Sequence, residues 1–301
     1  MKILILGGTY FLGRVFTIVA HKEHDLTLIN RGTYSMRDFN VKEHHLDRHD
    51  VEAIKNLPED DYDAVIDFCA YEPGDINTVM DNLRSTFRKY VFVSTSDVYA
   101  KCTQTLKDET TPYEDIRYTG EIGAYISGKV DLEKELIHNC SIKGISYGII
   151  RPSIIYGPYS YTTQESEYIR KIVKGENIVL PFNAKGKFQF VYVKDVANAL
   201  LLIANCHSDN IYNICSPEIV TYADFFNTLI DISEANGYHI NLIHRTIQQV
   251  IQHGDFAPYP LTLSSSELYD GSKFERDFNF EYTPLSVGME KTFNAFKNVY
   301  S

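Results

Sequence analysis

Lys2-Ile3-Leu4-Ile5-Leu6-Gly7-Gly8-Thr9-Tyr10-Phe11-Leu12-Gly13 is a short apolar run that breaks into glycine and then enters a helical pattern. A strand, a glycine turn and a helix start in that order form the place where a dinucleotide pyrophosphate is held. The chemistry needs a tight turn at Gly7, a close backbone approach to the phosphates, and no side chain at Gly13, where helix and strand meet. The helix N-terminal amides then face the anion. Gly7, Thr9, Tyr10, Phe11, Leu12 and Gly13 are therefore candidate cofactor-binding residues. In the commonest form of this turn, GxxGxxG, the middle glycine falls at position 10, which here is Tyr10. Its ring must swing aside or lie along the cofactor.

Downstream of this turn the rhythm repeats. Apolar runs at 26–30, 64–68, 90–94 and 147–150 follow the first at 2–6 and alternate with longer helical stretches, which predicts an α/β chain with a parallel sheet. Strands such as ILIL, AVIDF, YVFVS and YGIIR are near-continuously apolar, as expected when helices cover both sheet faces. Residues 11–20 place Leu12, Val15, Phe16 and Val19 on one helical face, and 130–138 also repeats with helical period. The expected fold is a doubly wound, Rossmann-like sheet of about seven strands with a smaller α/β substrate lobe. Residues 1–155 read as the dinucleotide-binding domain, with return segments near 188–215, among them the strand-like FQFVYV. Residues 156–301 read mainly as the substrate lobe, interleaved with the first.

At the end of the second run, LTLINRG, an acidic residue would take the adenosine ribose hydroxyls; here Asn30 and Arg31 stand instead. With no carboxylate to repel it and a guanidinium to grip it bidentately, a 2′-phosphate is favoured, so NADP is expected ahead of NAD. The bland alternative is a solvated arginine. The 40 acidic against 29 basic side chains give a net charge of -11, which opposes a phosphate backbone and argues against nucleic acid as a partner. Cys69, Cys102, Cys140, Cys206 and Cys215 are odd in number and scattered, which points away from a disulfide framework and toward a reducing compartment. Residues 3–6 are too short for a signal segment, and no apolar run approaches the roughly 18 residues of a membrane span. A soluble cytoplasmic protein is the expectation.

Tyr125-Ile126-Ser127-Gly128-Lys129 puts a phenol and an ammonium on one helical face. A nearby lysine charge favours the phenolate, bringing a group that ordinarily titrates near 10 toward working pH, where it can exchange a proton with an alcohol or carbonyl. The segment Ser94-Thr95-Ser96-Asp97-Val98-Tyr99 follows a central strand, where an open parallel sheet presents its ligand site. Thr95 can hold the reacting oxygen.

GGTYFLG at 7–13, STSDVY at 94–99, YISGK at 125–129, RPSIIYGP at 151–158 and FVYVKDVANA at 190–199 occur in the order found in the extended short-chain dehydrogenases/reductases, the NAD-dependent epimerase/dehydratase family. The chain resembles that family over nearly its whole length. The resemblance implies Tyr125 as acid/base, Lys129 on the nicotinamide ribose, Thr95 on the substrate hydroxyl, Pro152 near the nicotinamide and Asp47 near the adenine. It adds Arg48, Cys69 and Ala70 to the cofactor-binding set, although a small buried thiol is the bland reading of Cys69. It also implies a small-molecule substrate, with nucleotide sugars the family default, and admits a homodimer.

GGTxFLGR and NRG further resemble a subgroup that contains chloroplast stem-loop RNA-binding proteins and bacterial relatives. RNA binding is thus a second reading, opposed by the charge and by the Thr95, Tyr125 and Lys129 set. A nucleotide sensor without turnover is a third, encouraged only by Tyr10. His44, His45 and His49 are spaced so that they cannot easily converge on one ion, and no metal is expected. Motif positions place Tyr99, Tyr156 and Tyr192 near the cleft. In nucleotide-sugar members an arginine precedes the FVYVKDVA strand; Phe188 stands there, with Lys187 beside it but without a guanidinium fork.

Overall fold

A computed structural model describes residues 1–101 and 106–300. In chain order the elements begin with β1 (Lys2–Leu6), α1 (Phe11–Ala20), β2 (Asp25–Asn30), β3 (Lys42–His45), α2 (Val51–Lys55), β4 (Asp61–Asp67), α3 (Asp75–Asn82) and β5 (Thr86–Val93). They continue with the long α4 (Gly120–Lys143), β6 (Ser146–Pro152), β7 (Ile154–Tyr156), α5 (Glu165–Val173), β8 (Asn177–Pro181), β9 (Phe188–Tyr192) and α6 (Val193–Ala204). The last part comprises β10 (Asn210–Ile214), β11 (Ile219–Val220), α7 (Tyr222–Ala235), β12 (Asn241–Arg245), α8 (Ile247–His253), α9 (Ser272–Phe278) and α10 (Leu285–Tyr300).

Seven strands form one sheet in the order β10-β6-β5-β4-β1-β2-β3, parallel throughout. This is the doubly wound sheet the sequence predicts. Its order reverses between β1 and β4, where Leu6 pairs with Asp67, so the connections leave in opposite directions and open a crevice above those strand ends. The strands are apolar on both faces because each face has its own core. Ile3 and Ile5 of β1 join Val91 and Val93 of β5 on the side of α1 and α6. Leu4 and Leu6 join Tyr90 and Phe92 on the side of α3 and α4. Each such side chain contributes roughly 1.5–3 kcal/mol on burial.

FQFVYV does form a strand, β9, but it pairs with β7 and β11 in a separate three-stranded sheet. The strand that returns to the large sheet is β10, beside β6. β5 also begins earlier than its apolar run, because Lys89 is buried within it and donates to the carbonyls of Cys206 and Ser208 at 3.0 and 2.8 Å. Cys69, Cys140, Cys206 and Cys215 are free thiols, whereas Cys102 lies outside the described residues. No helix among the described residues is long and apolar enough to cross a membrane.

Candidate active site

The glycine turn leaves β1 with Gly7 and Gly8 at φ +98° and +85°, values that side chains rarely adopt. At Gly13 a Cβ would stand 2.8 Å from the Gly8 Cα, so helix α1 sits against the turn only because that atom is missing. Tyr10, at the position of the usual middle glycine, swings its ring out. It is half-exposed and stacks on Tyr34 at 5.3 Å and on Tyr161 at 4.9 Å, leaving the floor of the turn open. At the end of β2, Asn30 is buried. Its Oδ1 accepts from the Gly32 amide at 2.7 Å, while its Nδ2 has no protein partner. Arg31 beside it is exposed. The glycine cradle and this orphaned donor fit the pyrophosphate and adenosine ribose of a dinucleotide.

A cavity of about 910 Å³ runs from this turn across the crevice and is bordered by Gly7, Thr9, Tyr10, Phe11, Leu12, Gly13, Asn30, Arg31, Asp47, Arg48, Cys69, Thr95, Tyr125, Lys129 and Pro152. The sequence-derived set therefore converges on one space, with Ala70 as the exception. Ala70 is fully buried behind the wall, and its carbonyl accepts from Lys129 Nζ at 2.8 Å. Arg48 borders the cavity, but its guanidinium is committed beneath the floor. It grips Asp67 through two bonds of 2.9 Å and donates to the Asp75 carbonyl at 2.8 Å. Burial alone would raise the Asp67 carboxyl; Arg48, helped by the Tyr90 hydroxyl at 2.6 Å, holds it below its ordinary value. Asp47 is exposed and accepts from the His49 amide at 2.9 Å. The Cys69 thiol is pushed up to about 12 by burial and is inert as a nucleophile at neutral pH.

The Tyr125 and Lys129 end of the cavity is set by α4. At Gly128 a Cβ would lie 2.3 Å from the Tyr71 carbonyl oxygen, so glycine lets this helix approach the segment after β4. That approach brings Lys129 Nζ to the carbonyls of Ala70 and, at 2.9 Å, of Val93. The ammonium also lies 4.6 Å from the Tyr71 ring centre and 5.8 Å from that of Tyr125. One turn further along α4, buried Glu133 accepts from Arg151 at 2.6 Å, from Tyr113 at 3.0 Å and from the Ser94 hydroxyl. This knot ties α4 to the ends of β5 and β6 and fixes Tyr125 opposite Thr95. Sequence reading missed it, although Arg151 between the apolar end of β6 and Pro152 is the signal that could have found it.

Two expectations need correction. Lys129 does not draw the phenol of Tyr125 down. Burial pushes Tyr125 up to about 12, the Asp97 carboxylate adds to this, and contact with the Thr95 hydroxyl opposes it. The ammonium is spent on two carbonyls and is itself lowered to about 8 by burial. Second, Tyr99, Tyr156 and Tyr192 are core residues; the tyrosines bordering the cavity are Tyr10, Tyr34, Tyr71, Tyr125, Tyr161 and Tyr269. Lys187 is exposed and does not border the cavity, whereas Phe188 does, packed 4.7 Å from the Tyr259 ring.

A parallel sheet with a glycine turn at its switch point and a tyrosine and lysine at its rim defines a Rossmann-like α/β protein. Residues 3–215 match the model of the NAD dependent epimerase/dehydratase family, and the chain belongs to that family. It is 29% identical over 239 residues to the chloroplast stem-loop binding protein of 41 kDa b of Arabidopsis thaliana; the match covers 73% of this chain and 60% of the plant protein. Among solved structures it is similar to UDP-glucose 4-epimerase of Thermotoga maritima (18% identity, all of both chains, TM-score 0.77). It is also similar to UDP-N-acetylglucosamine 4-epimerase of Methanobrevibacter ruminantium (18%, 99% and 98% of the two chains, TM-score 0.78). A third is dTDP-glucose 4,6-dehydratase of Bacillus anthracis (17%, 99% and 97%, TM-score 0.75). At these identities the structures share the fold.

Proposed function

We propose that the chain is an NAD(P)-dependent oxidoreductase or epimerase acting at a hydroxyl- or carbonyl-bearing carbon. The observation that carries this reading is the placement of Thr95, Tyr125 and Lys129 in the same cavity as the glycine cradle. A bound nicotinamide cofactor supplies the hydride acceptor and donor. The chain's residues supply the rest. Tyr125, protonated at neutral pH, gives its proton to a carbonyl oxygen during reduction and, as phenolate, takes one from an alcohol during oxidation. Thr95, whose hydroxyl donates to Asp97 Oδ2 at 3.0 Å, orients the reacting oxygen. Lys129, locked between two carbonyls, holds the ribose and presents a cation beneath Tyr125. Asn30 Nδ2 and Arg31, with no carboxylate at the end of β2, favour NADP(H) over NAD(H). An epimerase uses the same transfer twice, on opposite faces of a transient ketone.

The stem-loop-binding plant relative keeps RNA binding in view, but a net charge of -11 and a preserved proton-transfer set favour turnover. The test is to incubate the purified protein with NADPH carrying deuterium at the reactive ring carbon and a panel of aldehydes and ketones, with product mass as the readout. Deuterium in a product supports the reading. No transfer to any carbonyl, with NADPH demonstrably bound, contradicts it.

A further inference from the structure

Beyond Tyr125 the cavity is bordered by Ser96, Asp97, Gln189, Ser265, Glu267 and Tyr269, and this end carries two carboxylates. Asp97 is exposed to the cavity, and Glu267 is half-buried. The segment bearing Glu267 is held at three points. The Ser266 hydroxyl accepts from the Lys187 amide at 2.7 Å, the Leu268 carbonyl from the Lys107 amide at 2.9 Å, and the Tyr269 amide donates to Gln189 Oε1 at 2.7 Å. Glu267 is therefore presented to the cavity by fixed backbone.

Among the described residues, one cation pairs with these two acids. Buried Lys107 pairs with Glu267 from behind and does not border the cavity. The other described basic groups bordering the cavity are Arg31 at the end of β2, Arg48 beneath the floor, His49 beside Asp75, and Lys129 next to Tyr125, whose ammonium is held by the carbonyls of Ala70 and Val93. The residues outside the description, at 102–105 and 301, include no basic side chain. Where a guanidinium could meet a phosphate at the start of β9 there is Phe188, which borders the cavity and packs against Tyr222, Phe190 and Tyr259. Two carboxylates against one lysine leave this end net negative.

From this charge pattern we infer that the substrate carries no anionic group. It is a hydroxyl- or amine-bearing molecule that donates hydrogen bonds to Asp97 and Glu267, and not a nucleoside diphosphate sugar. This rests on the oxidoreductase reading of the same cavity and narrows its substrate class. A diphosphate would bring its charge into a net negative pocket without a guanidinium to receive it, whereas donors to carboxylates form strong, charge-assisted bonds.

The experiment titrates full-length protein saturated with NADP⁺, by calorimetry, against UDP-glucose and against a set of aldoses, polyols and amino sugars such as D-glucosamine. UDP-glucose is expected to show no saturation below about 1 mM, and a non-anionic ligand is expected to saturate. Glu267→Gln is expected to weaken that ligand about tenfold or more, the loss of a bond to a charged acceptor. Saturable micromolar binding of UDP-glucose by the wild type overturns the inference, and so does failure of every non-anionic ligand to bind. Should Glu267→Gln fail to fold, the wild-type comparison still decides. Deuterium transfer from the labelled NADPH to the carbonyl carbon of a UDP-linked keto sugar would sink this inference while sparing the oxidoreductase reading. Binding of a non-anionic ligand without any transfer would do the reverse.

Discussion

Arg31 is exposed at the end of β2, and Asn30 beside it has its side-chain amide free, so the proposed preference for NADP(H) over NAD(H) is tested at two adjacent residues. Arg31→Ala is expected to weaken NADP(H) by about 1 to 3 kcal/mol, the range for a lost charge-assisted bond, and to leave NAD(H) nearly unchanged in calorimetric titrations. Equal losses would show that Arg31 does not read the phosphate. Lys129 yields a pH prediction. Its folded value of about 8 lies below its ordinary 10.5. Between those pH values the unfolded chain keeps a proton that the folded chain has released, so this group's contribution to stability rises with pH across the window. Below pH 8 both states are charged and the burial penalty is constant. The stability difference between wild type and Lys129→Met, measured by urea denaturation, should therefore climb from about pH 8 to 10.5 and be flat below it. A flat difference throughout would mean that Lys129 is not burdened by burial. These residues were legible because motif spacing names them; their electrostatics was not. YxxxK alone suggests a lysine that acidifies the tyrosine, and it gives no hint that the carbonyls of Ala70 and Val93 claim the ammonium first.

Helix α4 carries both Tyr125 and Lys129, and its position depends on the missing Cβ of Gly128. Gly128→Ala must push the helix off the Tyr71 carbonyl, for an overpacking cost of roughly 1 to 3 kcal/mol in denaturant unfolding. The same displacement shifts Tyr125 and Lys129 together, so turnover should fall by more than the stability loss explains. Wild-type kcat in a folded Gly128→Ala protein would show that the helix has room to spare. Gly128 was visible in the sequence only as the fourth letter of YISGK. Strands were legible where both faces are buried, as in β1 and β4, since apolar runs then follow directly from the covering helices. Reading stopped short where polar residues are accommodated inside a strand. Lys89 in β5 has its donors satisfied by carbonyls near residue 207, and β3, KEHH, is an edge strand with no apolar face to announce it.

The fold places the glycine turn, the Tyr125 and Lys129 stretch of α4 and the Asp97 and Glu267 carboxylates around one cavity, each supplied by a different stretch of chain. The large sheet came through in the sequence because its βαβ rhythm is local, whereas the pairing of β9 with β7 and β11 depends on contacts between distant segments. The end of the cavity around Glu267 was the least legible part. Glu267 and Tyr269 are brought to the crevice by bonds to Lys107 and Gln189, partners 80 or more residues away for which no motif exists. Since cofactor binding is linked to folding, NADP⁺ at a hundredfold excess over its Kd should add about 2.7 kcal/mol to the stability of the full chain, measured by denaturant unfolding. The decisive comparison is turnover of a verified substrate with NADP⁺ by wild type and by Tyr125→Phe, with cofactor affinity measured alongside. Removing an acid/base of this kind should lower turnover by about 10² to 10⁴ while cofactor affinity stays nearly unchanged. Wild-type turnover by Tyr125→Phe would contradict the assignment of proton transfer to Tyr125.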